Sequence, residues 1–179
     1  MSWLIVKNAA AFLSAKMFFW FAGLSFLIVA KVFVSPMIDY RLVILGAVLP
    51  TVEMYIGGPW VLHSLASPVA VMSIVMIVFT GRRLRQRKWL GLPIGMFLYL
   101  VLDRAWTRTT MFWWPFSGID IRNLDKPNWE SAPTLIFMEI IGLAAIAYSV
   151  RTYKLFGKDE RSLFFTKGHI KRTNMSRKE

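Results

Sequence analysis

Four ionisable side chains stand where a mostly apolar sequence makes charge expensive: Glu53, His63, Asp103 and Glu139. A carboxylate or imidazole in such surroundings must be paired, hydrated or bound to a metal. Imidazole nitrogen with Asp or Glu oxygen is an ordinary ligand set for zinc or manganese. Such a metal lowers the pKa of a bound water and generates hydroxide at neutral pH. A spare carboxylate can then act as general base. Tyr99 precedes Asp103 by four residues, so the two share a helix face. The plainer alternative makes His63 an interfacial hydrogen-bonding residue, pairs Asp103 with Arg104 or Arg108, and leaves Glu53 hydrated.

The elements that must position these groups are apolar helices. The 179 residues are 56% hydrophobic and 18% charged, with fourteen Phe and eight Trp. Soluble domains carry about 25% charged residues, so one small soluble core does not account for this chain. Absence of cysteine excludes a disulfide scaffold, thiolate zinc sites, iron–sulfur clusters and a cysteine nucleophile. A crossing helix needs about 20 mostly apolar residues. Residues 12–34, 60–79, 89–105 and 133–150 qualify, with Lys16 and Lys31 near the ends of the first, where long cations snorkel. Residues 42–56 are shorter and contain Pro50 and Glu53. They either cross or enter and return, as broken helices do beside protein-lined cavities. The expectation is an all-α membrane protein: a bundle of about five transmembrane helices, four if the second segment is re-entrant. A polytopic domain over residues 1–150 is followed by a basic tail, 151–179, disordered or amphipathic.

The formal net charge of +12 is concentrated in two places. Arg82, Arg83, Arg85, Arg87 and Lys88 sit between two apolar stretches. Arg151, Lys154, Lys158, Arg161, Lys167, Lys171, Arg172, Arg177 and Lys178 stud the tail. Basic residues beside spans stay in the cytoplasm. The C-terminus is therefore expected there, with the N-terminus outside for five crossings and inside for four. His63 opens the third span and Asp103 closes the fourth, so both fall near the outer face. Glu53 lies just before the Gly57-Gly58-Pro59 turn, and Glu139 lies about two turns into the last span. The same basic tail suits anionic lipid headgroups, at about 1 kcal/mol per cation near the surface. No aromatic platform or module supports nucleic-acid binding.

Trp106, Phe112, Trp113, Trp114, Phe116 and Trp129 mark the outer loop as an interfacial belt, or as the wall of a polar site. Gly91 and Gly95 form a G-x-x-x-G that permits close helix packing, although Pro93 stands between them. No phosphate-binding glycine loop, H-E-x-x-H, G-x-S-x-G or internal repeat is present.

The order LGAVLP, VLHSL, FLYLVLDRAW, FWWPF resembles the membrane-bound metal-dependent hydrolases of bacterial inner membranes. Their pattern runs close to G-A-L-L-P-D-x-D, T-H-S-L, H-L-L-x-D and L-W-P-F. The likeness covers residues 42–116. Leu49-Pro50, His63-Ser64, Asp103 and Trp114-Pro115 match, with Leu62 in the Thr position. Thr51 replaces the first aspartate after the proline, Glu53 stands for the second, and Tyr99 replaces the histidine four residues before Asp103. The resemblance implies a hydrolase of the bacterial plasma membrane with a divalent metal, zinc or manganese, and names no substrate.

Two functions follow from the residues. In the first, Glu53, His63 and Asp103 hold the metal, Tyr99 orients water or substrate, and Glu139 is the base or a supporting carboxylate. The substrate class is then a phosphoester or lipid-like molecule at the outer leaflet. In the second, the exchanged ligands leave a non-catalytic membrane scaffold descended from such an enzyme. Its polar residues lock the spans together, and its tail binds anionic lipid or a partner. Ion translocation through Glu139 ranks last, because the cytoplasmic halves of the spans are too apolar for a polar path.

Overall fold

A computed structural model describes residues 17–33, 35–56, 61–118 and 132–170. The Gly57-Gly58-Pro59 turn, Lys16, Trp129, Lys171, Arg172, Arg177 and Lys178 lie outside these residues. The described chain is all helical, without strands. In chain order the helices are α1 (Phe18–Phe33), α2 (Tyr40–Ile56), α3 (Ala66–Val78), α4 (Arg83–Trp89), α5 (Gly91–Leu102), α6 (Thr109–Phe112), α7 (Ala132–Thr152) and α8 (Lys158–Lys167). Short 3₁₀ turns occupy Val61–His63 and Ala105–Thr107.

Five of these helices run the length of one bundle in alternating directions. At one end Asp39, at the start of α2, lies against Gly91, at the start of α5. At the other, Glu53 near the end of α2 meets His63 and, through it, Tyr99 of α5. Residues 42–56 therefore lie alongside α5, start to start and end to end. α2 continues through Pro50, although a proline inside a helix removes one backbone donor and crowds the preceding turn. The neighbouring Thr51 hydroxyl turns back to the Val48 carbonyl at 2.6 Å.

Close approach of α2 and α5 depends on missing side chains. A Cβ at Gly91 would stand 2.7 Å from the Asp39 carbonyl oxygen, and one at Gly95 would overlap the Val43 carbonyl oxygen. Gly46 faces the Leu92 carbonyl in the same way from the opposite helix. The G-x-x-x-G of α5 is thus half of a reciprocal small-residue contact. α1 and α7 repeat the device at Gly23 and Gly142. Two apolar clusters fill the remaining space. One, at the basic end, joins Phe26, Val29, Tyr40, Val43 and Tyr153. The other, beside the polar residues, joins Met17, Phe21, Ala47, Tyr99, Leu100 and Leu135.

Two helices are shorter than the apolar stretches that contain them. The stretch 60–79 holds a 3₁₀ turn and then the thirteen residues of α3, and 89–105 holds the last residue of α4 and the twelve of α5. Among the described residues, 133–152 is the one helix long and apolar enough to cross a bilayer. α1 and α3 are apolar but shorter.

The chain after α7 packs back on the bundle as far as Ile170. α8 ends at Gly168, whose φ of 71° lies in the left-handed region open to glycine. The Gly168 carbonyl accepts from the Tyr40 N–H at 2.9 Å, and the Phe165 carbonyl accepts from Arg41 Nη1 at 2.7 Å. Ile170 is buried in the basic-end cluster. A buried apolar residue and these backbone bonds offset the entropy of ordering the segment.

Asp39 anchors this corner. Its carboxylate accepts from Arg41 Nε and Nη2 and from the Arg41 backbone N–H, and Lys88 Nζ stands 3.5 Å away. Burial opposes ionisation, but the Arg41 bonds and charge, with Lys88, hold the carboxyl below its ordinary value. A depressed folded pKa contributes stability that is complete above the unfolded value of about 3.9 and lost as pH falls through the folded one. The Tm in detergent is therefore expected to fall with acid below that range, and Asp39→Asn to flatten the fall. An unchanged acid slope in the variant would contradict this assignment.

Candidate functional site

The polar end is built around a carboxylate–imidazole–phenol chain. Glu53 Oε2 lies 2.9 Å from His63 Nδ1, and Tyr99 Oη lies 2.8 Å from His63 Nε2. A carboxylate only accepts, so the neutral ring carries its proton on Nδ1 and the Tyr99 hydroxyl donates to Nε2. That tautomer is assigned from the partners. The second Glu53 oxygen accepts from the Leu62 N–H at 2.9 Å, which ties α2 to the 3₁₀ turn carrying His63. The turn itself is closed by Ser64, whose hydroxyl donates to the Val61 carbonyl at 2.7 Å. Ser67 donates to the Leu62 and Ser64 carbonyls.

Apolar residues seal the chain. The Phe21 ring lies 4.4 Å from the Tyr99 ring, and His63 meets Tyr99 edge to face. His63 is 0% exposed and Tyr99 3%. Of the outer aromatics, Phe112 supports the site: its ring packs on the Tyr99 cluster, and its carbonyl accepts from the Leu65 N–H at 3.0 Å. Trp106, Trp113 and Phe116 are exposed.

Asp103 caps the end of α5 and is buried. Of its two candidate partners it takes Arg108, in a short charge-assisted bond from Nη2 to Oδ2. Arg104 adopts a left-handed conformation with a φ of 52°, and its side chain is exposed. Asp103 Oδ1 and Arg108 Nε, both buried, have no hydrogen-bond partner among the described residues.

The donor set can be tested against a metal. Both His63 nitrogens already serve protein partners, one carboxylate oxygen of Asp103 serves Arg108, and Glu53 bonds a backbone amide. Among the described residues no group of three or more His, Asp or Glu side chains is placed to hold an ion. The residues present do not fit a bound metal in this arrangement. Tyr99 is central to the misfit: its phenol occupies the one His63 nitrogen that Glu53 leaves open.

Glu139 is held elsewhere. The Phe19 N–H donates to its Oε2 at 3.0 Å, so the carboxylate caps the first turn of α1 from the neighbouring α7. A carboxylate at a helix N-terminus satisfies orphan donors and complements the helix dipole. None of its hydrogen bonds reaches Glu53, His63, Tyr99 or Asp103. Asp39, by contrast, had no place among the chemistry-bearing residues. The signal that could have found it is an acid in the short connection between two apolar stretches, two residues before an arginine.

No protein-family model, curated protein or solved structure matches the chain. The reading of the site therefore rests on its own geometry.

Proposed function

We propose that the chain is a five-span integral membrane protein with its basic end in the cytoplasm. Its outer polar cluster locks the spans together and does not turn over a substrate. Apolar surface supports the membrane setting. Ile74, Ile77 and Val78 of α3, and Phe137, Ile140 and Leu143 of α7, are each more than half exposed. Exposed apolar rows on two separate helices suit an interaction with membrane or protein. The alternating directions of α1, α2, α3, α5 and α7 suit five crossings. Exposed Arg82, Arg83, Arg85 and Arg87 at one end suit the positive-inside rule. The chain is expected to stay with membranes through alkaline carbonate extraction, with a C-terminal reporter active in the cytoplasm. Release by carbonate would remove this reading.

The observation that carries the scaffold reading is His63, fully buried with both ring nitrogens bonded. A ligand or general base needs one nitrogen facing a reactant. Here the polar groups satisfy one another across three segments, which favours a single arrangement of the helices. Protein purified with a tag lacking histidine is expected to carry no stoichiometric zinc or manganese by elemental mass spectrometry. His63→Ala is expected to lower the Tm, because Glu53 and Tyr99 lose their partner. Near-stoichiometric metal that disappears in His63→Ala and Asp103→Ala would instead establish the metal-dependent hydrolase of the resemblance. Asp103 Oδ1, buried and without a hydrogen-bond partner among the described residues, favours that second reading.

A further inference from the structure

At the basic end, the last turn of α7, the 153–157 turn and α8 enclose a hollow of about 960 Å³. This is the upper range of ligand pockets, about 300–1,000 Å³. Its walls include Leu155, Phe156, Phe164 and Phe165, and its polar side chains are Arg161 and Ser162. Phe156 and Phe165 are 80% and 68% exposed. We propose that this hollow binds an anionic phospholipid, acyl chain on the aromatic wall and phosphate on Arg161 and Ser162. The inference rests on the membrane reading, which sets this end at the headgroups of the inner leaflet.

Charge selects the occupant. Arg161 is exposed and forms no ion pair among the described residues. Glu160, beside it in sequence, is turned back over Gly157 at the start of α8. Arg82, Arg83, Arg85 and Arg87 add unpaired positive charge at the same end of the bundle, and Lys167 closes α8. A zwitterionic headgroup carries its own cation and gains less from this field. A second copy of the chain would bring the same positive charge and be repelled. An acyl chain also covers aromatic surface that α8 leaves open, and a free phosphate does not.

The full chain purified in non-ionic detergent is examined by native mass spectrometry with phosphatidylglycerol, phosphatidylcholine or inorganic phosphate. Phosphatidylglycerol is expected to stay bound, phosphatidylcholine to dissociate, and phosphate not to compete. Arg161→Gln should weaken retention about fivefold, as loss of one cation at a surface implies, with Arg161→Lys restoring most of it. Arg104→Gln, exposed at the opposite end of the bundle, should leave retention unchanged, and equal Tm values should show that all variants fold. Equal retention of both lipids, competition by phosphate, or wild-type retention in Arg161→Gln would overturn the site. A chain that resists carbonate extraction yet shows any of these results loses this inference alone. One released by carbonate loses the membrane reading and this site with it.

Discussion

Arg108→Ala is expected to lower the stability of the folded chain by about 3–5 kcal/mol, the usual cost of stranding one member of a buried ion pair. Asp103 is buried at the end of α5, and Arg108 supplies its charge-assisted bond. Removing the guanidinium leaves a carboxylate with one oxygen already without a partner among the described residues. Thermal unfolding in detergent measures the loss. Arg108→Lys should recover part of it, since an ammonium restores the charge without the planar fork. The double variant Asp103→Leu/Arg108→Met should recover most of it, because a well-packed apolar pair avoids both desolvation costs. Full stability in Arg108→Ala would show that Asp103 is served from elsewhere, and the lock would lose its second half.

Gly95→Leu is expected to be at least as damaging. Overfilling a packed core costs about 1–3 kcal/mol when side chains can yield. At Gly95 the first atom met is the Val43 carbonyl oxygen, which belongs to the backbone of α2. The helices must therefore part, and Tyr99, one turn further along α5, moves away from His63. Loss of folded protein by size-exclusion chromatography is the expected outcome, with Gly95→Ala already impaired. Val101→Ala, on a more exposed side of the same helix, should change stability by only about 0.5 kcal/mol. A well-folded Gly95→Leu variant would mean that α2 and α5 are further apart than described.

The sequence alone determined the helical class, through long apolar stretches broken by turns and charge. It placed Glu53, His63, Asp103 and Glu139 near one end, because alternating apolar stretches fold distant residues to common levels; of these, Glu53 and His63 meet directly, while Glu139 bonds the start of α1. It also showed the small-residue face of α5 through Gly91 and Gly95. These readings need only composition, period and spacing, which are properties of the chain taken locally.

Tertiary structure decided what each polar group does. Asp103 takes Arg108 over Arg104 because the left-handed backbone at Arg104 leaves that side chain exposed. Glu139 caps α1, a partner 120 residues away, because α1 and α7 approach through Gly23 and Gly142. Residue 170 of the basic tail is docked because Ile170 finds the apolar cluster of α1 and α2, where composition alone reads a disordered or amphipathic segment. His63 is closed at both nitrogens because Glu53 and Tyr99 reach it from two helices that lie side by side. Residue type sets what a side chain can donate or accept. Which donor or acceptor it meets depends on helix direction and separation, and those are fixed by contacts between segments far apart in the chain.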